Sequence, residues 1–228
     1  MNEVQIAQMI YPSVVTCIGD WKKMLEEVKK FRLTEISLFL TTAGVNERKK
    51  IYAELAKTSV KKIPHMHARN DMKEEELDYL VKMYKTEAFT IHFQFMKNFI
   101  RSKFKKKIFC ENNFSPKRGD NLHDISTVGG VCIDLSHYYQ FLAHTPDFHE
   151  RDKKMASMFT VGCNHISAVN SDDWSSHTAH SKKEFDYLAK LPKKLFSKYL
   201  NLELSNSLHE QLEFKKYIAR LLAKAWNT

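Results

Sequence analysis

Charged and imidazole side chains follow four short apolar runs between residues 105 and 203 of the chain. They are Glu111 after KKKIFC, Asp134 and His137 in GGVCIDLSH, His165 after FTVGCN, and Glu203 after YLNL. Carboxylate and imidazole groups bind divalent ions such as Mn, Mg or Zn, and a catalytic site leaves positions for substrate or water. One such residue at a strand end is commonly a helix cap or an ion-pair partner, but four unpaired buried groups would be costly. The pattern therefore predicts a metal site of Glu111, Asp134, His165 and Glu203.

Three of these predicted ligands lie two residues after a small or apolar side chain. The pairs are Phe109 and Glu111, Cys132 and Asp134, and Cys163 and His165. Because side chains alternate along a strand, the members of each pair share one face. A closed barrel of parallel strands would hold the apolar member inside and the polar member at its carboxyl-terminal mouth, where such barrels gather active-site residues.

Further histidines could add ligands or contact a substrate. His137 would lie in the first helical turn after its strand, close to the mouth. His65 and His67 are two residues apart on one predicted strand and so share a face, while His92 ends the next strand. His177 lies in the polar loop 171–181. His65, His67 and His92 could equally be ordinary pocket histidines, and an ordinary surface histidine is the favoured interpretation of His177. These four are kept as possible additional metal or substrate contacts.

Strand-like runs alternate with helical periodicity along the chain. Eight strands are predicted at residues 4–10, 35–40, 62–67, 88–93, 107–111, 130–134, 160–165 and 200–204. Helices are predicted at residues 20–31, 47–58, 73–84, 135–141 with an extension, 183–191 and 208–226, with a short basic one at 96–105. Alternation indicates a parallel sheet, and eight repeats favour an α/β fold of the (β/α)8 TIM barrel type. An open doubly wound sheet is the alternative, but no Gly-rich phosphate loop follows the first predicted strand.

Composition bounds the domain organisation and the location. The 228 residues are 43% hydrophobic and no Pro/Gly/Ser-rich linker divides them, so a single domain over residues 1–228 is predicted. Apolar stretches are far shorter than the roughly 20 residues that cross a bilayer, and the start MNEVQ does not resemble a signal peptide. We expect a cytoplasmic protein with no membrane partner. The four cysteines lack CxxC spacing, which favours reduced core thiols over metal ligation or a disulfide.

The formal net charge of +9 comes mostly from clustered lysines. Such a balance is compatible with nucleic acid, because lysine and arginine neutralise phosphates without regard to sequence. Most clusters, however, precede predicted strands at helix ends, where lysine complements the helix dipole. A solvated surface is therefore the favoured interpretation, and nucleic acid is a less favoured partner.

The order Glu, Asp-x-x-His, His, Glu at the ends of strands five to eight resembles the xylose isomerase-like TIM barrels. That superfamily includes sugar isomerases, ketose 3-epimerases and AP endonucleases of the endonuclease IV type. The resemblance covers nearly the whole chain. For the epimerases it implies one divalent ion, Mn or Mg, held by the four predicted ligands. It also implies that Glu111 and Glu203 exchange a proton with a sugar carbon and that His137 contacts substrate oxygens. The arginine that these epimerases commonly carry a few residues after the ligand His165 is absent here.

The endonuclease branch implies a fuller zinc cluster, and GVCIDLSH and IPH resemble its motifs. Its ligands would be His65, His92, Glu111, Asp134, His137, His165, His177 and Glu203. Two-metal sites suit phosphodiester hydrolysis because they stabilise both the attacking and the leaving oxygen. The Asp-x-His of the seventh loop is replaced by Ser-Ser-His, however, and the glycines after it are missing.

We therefore expect an isomerase or epimerase acting on a small sugar or polyol-like substrate. A zinc phosphodiesterase acting on abasic DNA is the alternative. A barrel that binds ligand without turnover is the third class, because one barrel fold hosts many chemistries.

Overall fold

The computed structural model describes residues 1–112 and 122–227, and eleven strands lie in this part of the chain. They are β1 (Ile10–Tyr11), β2 (Ser13–Val15), β3 (Ser37–Phe39), β4 (His65–His67), β5 (Ala88–His92), β6 (Ile108–Glu111), β7 (Gly130–Asp134), β8 (Val161–Ile166), β9 (Ala168–Val169), β10 (Ser175–Ser176) and β11 (Leu200–Leu202). Nine form one parallel sheet in the order β1-β11-β8-β7-β6-β5-β4-β3-β2. The antiparallel pair β9 and β10 lies between β8 and β11 in the chain.

The two ends of this sheet are successive segments of the chain, separated only by Pro12. β1 pairs with β11, whereas β2 pairs with β3. Proline has no amide hydrogen, so a ladder cannot continue through it unchanged. The Ser13 hydroxyl donates to the Leu202 carbonyl across the remaining gap. The sheet is therefore nearly closed and barrel-like.

Helices in the described residues follow most strands and carry the outer layer of the core. They are α1 (Glu3–Ala7), α2 (Trp21–Lys30), α3 (Val45–Leu55), α4 (Glu74–Tyr84), α5 (Leu135–His144), α6 (Pro146–Met158) and α7 (Leu208–Asn227). In α2, for example, Asp20 caps the first turn and one face buries Trp21, Leu25 and Val28. In the described part of the chain, no helix combines the length and the apolar character that crossing a bilayer requires.

The core has two parts. The larger cluster packs helices against the sheet and includes Cys110. A smaller buried cluster consists of Tyr11, Ala88, Phe109, Cys132, Cys163 and Tyr199. Its members on β6, β7 and β8 lie two residues before predicted ligands, so they line the inner face of the sheet as alternation predicts.

Most predicted elements are present, but the first strand is wrong. Residues 4–7 belong to α1, where the Asn2 and Gln5 side chains form a reciprocal capping box, and the strand starts only at Ile10. Val4 is 66% exposed, so the apparent alternation of this segment does not follow a buried face.

Two predicted helices differ in type. The basic segment predicted at 96–105 contains no α-helix, since short 3-10 turns at Phe93–Asn98 and Lys105–Lys107 take its place. The helix predicted at 183–191 is a 3-10 helix at Lys182–Lys190. The connection between the fifth and sixth predicted strands lies partly outside the described residues.

Candidate metal centre

The four predicted ligands lie together at the carboxyl ends of neighbouring strands. Glu111 ends β6, Asp134 ends β7, His165 is the last residue but one of β8, and Glu203 follows β11. One ligand atom from each lies within 4.8 Å of the others. All four side chains are buried, with Asp134 and His165 at 0% exposure. We call these residues the carboxylate site, and its donor set of three carboxylates and one imidazole could hold a divalent ion.

The imidazole of His165 joins two of these carboxylates. Its Nδ1 lies 3.2 Å from Glu111 Oε1 and 3.3 Å from Glu203 Oε2. Burial alone would lower the pKa of His165, but Glu111 and Glu203 outweigh it and hold that pKa well above its ordinary value. Burial likewise opposes ionisation of Glu111, yet His165, His67 and His92 keep its pKa well below the usual range. Glu111 is therefore an anion at neutral pH, as a metal ligand must be.

Asp134 is both a predicted ligand and the cap of α5. Its Oδ1 accepts hydrogen bonds from Ser136 N, Ser136 Oγ and His137 N, and its Oδ2 lies 2.7 Å from His137 Nδ1. Against the effect of burial, His137 lowers the pKa of Asp134 to about 2. Asp134 in turn raises the pKa of His137 to about 9 despite burial. An ion at the carboxylate site would share Oδ2 with His137, since Oδ1 already accepts three bonds.

A second group lies beside the first and shares Glu111 with it. His67 Nε2 and His92 Nε2 lie 3.0 Å and 3.3 Å from Glu111 Oε2. The opposite oxygen of Glu111 faces His165. His67 Nδ1 lies 3.1 Å from the Ala68 carbonyl, which makes Nδ1 the donor and directs Nε2 at the carboxylate. His67 Nε2 and Glu111 Oε2 are then both acceptors, and they repel each other at 3.0 Å unless a proton or a cation lies between them. This group could therefore hold an ion as well.

His65 does not join Glu111, although the resemblance to the endonucleases pointed to it. It is fully buried, with Nε2 2.7 Å from Thr90 Oγ1 and 3.2 Å from His165 Nε2. His67, two residues further along β4, contacts Glu111 instead. Neither His65 nor His92 is turned away from the site.

His177 lies outside the ligand groups found among the described residues. Its Nδ1 is 3.2 Å from both Ser167 Oγ and the Glu203 carbonyl oxygen. His137, by contrast, stays at the mouth, where its Nε2 lies 3.4 Å from Ser175 Oγ. His137 therefore lies at the site because it contacts Asp134. His177 instead contacts the backbone just after β11.

Two supporting features were not predicted. The Phe39 ring packs against His165 at a centroid distance of 4.9 Å and against His65 at 5.3 Å. Asn112 accepts from Asp134 N at 2.7 Å through Oδ1, and its Nδ2 donates to Asp152 Oδ2 at 2.6 Å. Phe39 could have been found because it ends an apolar strand run, but nothing in the pattern of α6 marks Asp152.

Several lysines lie at the amino-terminal end of the sheet, opposite the site. Lys62 and Lys198 are 3.7 Å and 3.4 Å from the carboxylate of Glu87, which directly precedes β5. Lys107 donates to the Thr86 carbonyl at 2.9 Å. These positive charges therefore surround the strand starts and do not form a phosphate-binding surface at the mouth.

No family model matches the sequence, and no curated protein matches it closely enough to count as a relative. Function is therefore inferred from the geometry of the site.

Proposed function

We propose that this protein is a divalent-metal-dependent isomerase or epimerase acting on a small sugar or polyol-like substrate. The fold we propose for it is a (β/α)8 barrel of the xylose isomerase-like type, in which β1 and β2 are one strand interrupted at Pro12. The carboxylate site of Glu111, Asp134, His165 and Glu203 is the observation that carries the proposal. Its position at the carboxyl ends of parallel strands is where barrel enzymes hold their reactive groups.

The donor set favours Mn or Mg as the resident ion, because hard oxygen ligands outnumber nitrogen three to one. When bound, such an ion polarises a substrate carbonyl and makes the neighbouring carbon-bound proton more acidic. The protein's own residues then move that proton.

Glu111 and Glu203 are the proposed general base and acid. Their carboxylates approach the same nitrogen of His165 at 3.2 Å and 3.3 Å, so both would lie next to a substrate held at this site. One carboxylate would remove the proton and the other would return it, on the same or the opposite face. His137, 14% exposed and fixed by Asp134, is placed to donate to a substrate oxygen at the mouth.

The position of two lysines is compatible with a small substrate. Lys62 and Lys198, which pair with Glu87, lie at the far end of the sheet from the carboxylate site, so they would not contact phosphates at the mouth. A nuclease that bends a duplex needs phosphate contacts around its active site.

Proton exchange tests the proposal with many sugars in parallel. The Mn-loaded protein is incubated in deuterated water with a panel of ketoses and aldoses, and deuterium at carbon is read by mass spectrometry. We expect exchange with at least one sugar, abolished by Glu111→Gln and by Glu203→Gln. The exposed Glu26→Gln is the matched control and should exchange normally. Deuterium exchange that survives in both site variants contradicts the proposal, and so does the absence of exchange with every sugar in the panel. Sugar binding without exchange would identify a barrel that binds ligand without turnover.

A zinc phosphodiesterase acting on abasic DNA is the second candidate function, favoured by one specific observation. Glu111 directs one oxygen at His165 and the other at His67 and His92, so it could be shared by two ions of a two-metal site. Two zinc ions per chain, together with incision of an abasic duplex that His67→Ala abolishes, would establish this function. His177→Ala should leave the zinc content unchanged, because His177 lies against Ser167 and a backbone carbonyl, away from the ligand groups.

A further inference from the structure

A layer of histidine, threonine and cysteine lies directly beneath the carboxylate site. Each member precedes a residue of the mouth by two positions on its strand, and the members are His65, Thr90, Cys132 and Cys163. All four are fully buried. Two residues along a strand correspond to roughly 6–7 Å, so this layer is one step deeper in the barrel.

These side chains contact one another across β4, β5, β7 and β8. Cys132 and Cys163 are direct partners in the register of β7 and β8. Thr90 Oγ1 lies 2.7 Å from His65 Nε2 and 3.3 Å from Cys163 Sγ. The layer is thus a continuous polar patch in an interior that is otherwise lined by apolar side chains such as Phe109 and Ala88.

His65 is left with an unused ring nitrogen in this interior. Its Nδ1 is buried and has no hydrogen-bond partner among the described residues. A buried polar atom without a partner is destabilising, so its presence calls for an explanation. On the other side of the ring, Nε2 faces His165 Nε2 at 3.2 Å, a contact in which one nitrogen at most can donate to the other.

We propose that His65, Cys132 and His165 form a further metal site, which shares His165 with the carboxylate site and is selective for a thiophilic ion such as Zn²⁺ or Co²⁺. One ligand atom from each of the three lies within 4.8 Å of the others. His165 serves both sites, because Nδ1 faces Glu111 and Glu203 while Nε2 faces His65. Cys163 places a second thiol next to Cys132 in the same layer.

The chemistry of the two sites separates the ions that they bind. Thiolate and imidazole ligands select zinc, cobalt or copper(I), whereas carboxylates select Mg or Mn. On binding, a sulfur–metal bond would replace the S–H bond of Cys132, and the proton would leave to solvent. When both sites are filled, the remaining N–H proton of His165 would leave as well, because an imidazole that binds one ion through each nitrogen is an imidazolate. The site requires no sugar substrate and does not depend on the proposed activity.

Cobalt absorption is the direct test. The folded protein is first saturated with Mg²⁺ to fill the carboxylate site and is then titrated with Co²⁺. We expect an intense near-ultraviolet thiolate-to-cobalt charge-transfer band that saturates at one equivalent. The band should disappear in Cys132→Ser and persist in Cys110→Ser, a buried cysteine of β6 that packs into the larger core cluster. It should also persist in Glu111→Gln, because Glu111 is not among the three ligands of this site.

Absence of the band in the native protein overturns the proposal, as does a band of unchanged strength in Cys132→Ser. Because Cys132→Ser could fail to fold, X-ray absorption of the unmodified protein provides the second measurement. With Mg²⁺ in excess and one equivalent of Zn²⁺, we expect a sulfur scatterer at about 2.3 Å from zinc. A shell of nitrogen and oxygen alone also overturns the proposal.

Discussion

Asp152 should make the stability of the protein depend on pH in a direction opposite to that of an ordinary ion-paired carboxylate. It is fully buried on α6, where it accepts hydrogen bonds from Asn112 and from Arg151. Burial raises its pKa to about 6, although Arg151 and Asn112 act against that rise. The folded state therefore holds the Asp152 proton more tightly than the unfolded chain does.

The direction in which the free energy of unfolding changes with pH follows from the linkage between protonation and folding. A folded pKa above the unfolded value of 3.8 contributes stability that is complete below pH 3.8 and is lost as the pH rises through about 6. The full effect of the shift is about 3 kcal/mol, since each pKa unit corresponds to about 1.4 kcal/mol. As the pH falls from 8 to 5, about 1.4 kcal/mol of this stabilisation should be regained.

Urea unfolding of the wild type and of Asp152→Asn at several pH values between 5 and 8 isolates this effect. The difference between the two proteins cancels the titrating groups that do not interact with Asp152. We expect the wild type to gain about 1.4 kcal/mol relative to the variant as the pH falls from 8 to 5. A constant difference across this range, or a loss by the wild type, would refute the reasoning.

Two further predictions concern packing and a buried ion pair. Gly162→Ala should destabilise the protein by roughly 1–3 kcal/mol, because the added Cβ would overlap the Phe109 ring. Gly44→Ala, whose nearest atom is 4.0 Å away, is the control in urea unfolding, and equal midpoints would be inconsistent with this packing. Arg48→Met should cost about 3–5 kcal/mol, since Arg48 is 1% exposed and donates to both oxygens of Glu76. The same change at the partly exposed Lys29 should cost at most about 1 kcal/mol, and a similar loss at both positions would show that burial does not decide the effect.

The carboxylate site was predictable because its signal is local. Each ligand ends an apolar run or follows it directly, and parallel strands bring their carboxyl ends to one edge. Whether His65 or His67 would meet Glu111 was not predictable in this way. Both histidines lie on the same face of β4 because side chains alternate along a strand. Which of them reaches Glu111 depends on the strand register, in which Glu111 pairs with His92 at the carboxyl end of β5, and this register brings the later residue, His67, to the carboxylate.

Other features of the fold and site depend on contacts that a single sequence does not reveal. The first predicted strand is wrong because a capping box at Asn2 favours helix where apolar residues happen to alternate. Asp134 could cap a helix or bind a metal, and the structure shows that its position allows both. Asp152 lies on a helix with no distinctive spacing, so only the folded chain shows that it supports Asn112. The single domain over residues 1–228 and the cytoplasmic location stay predictions.

The proposed function depends on the binding of one divalent ion by Glu111, Asp134, His165 and Glu203. Mn²⁺ binding, followed by electron paramagnetic resonance of the free ion, tests it most directly in the wild type, Glu111→Gln, Glu203→Gln and the control Glu26→Gln, with folding checked by circular dichroism. Loss of a group that merely orients a ligand typically weakens metal binding about 10- to 100-fold, so loss of an anionic ligand should weaken it by more than about 10-fold. We predict one ion per chain in the wild type and the control, and affinity reduced by at least that factor in both site variants. Equal Mn²⁺ affinity in all four folded proteins would contradict the claim.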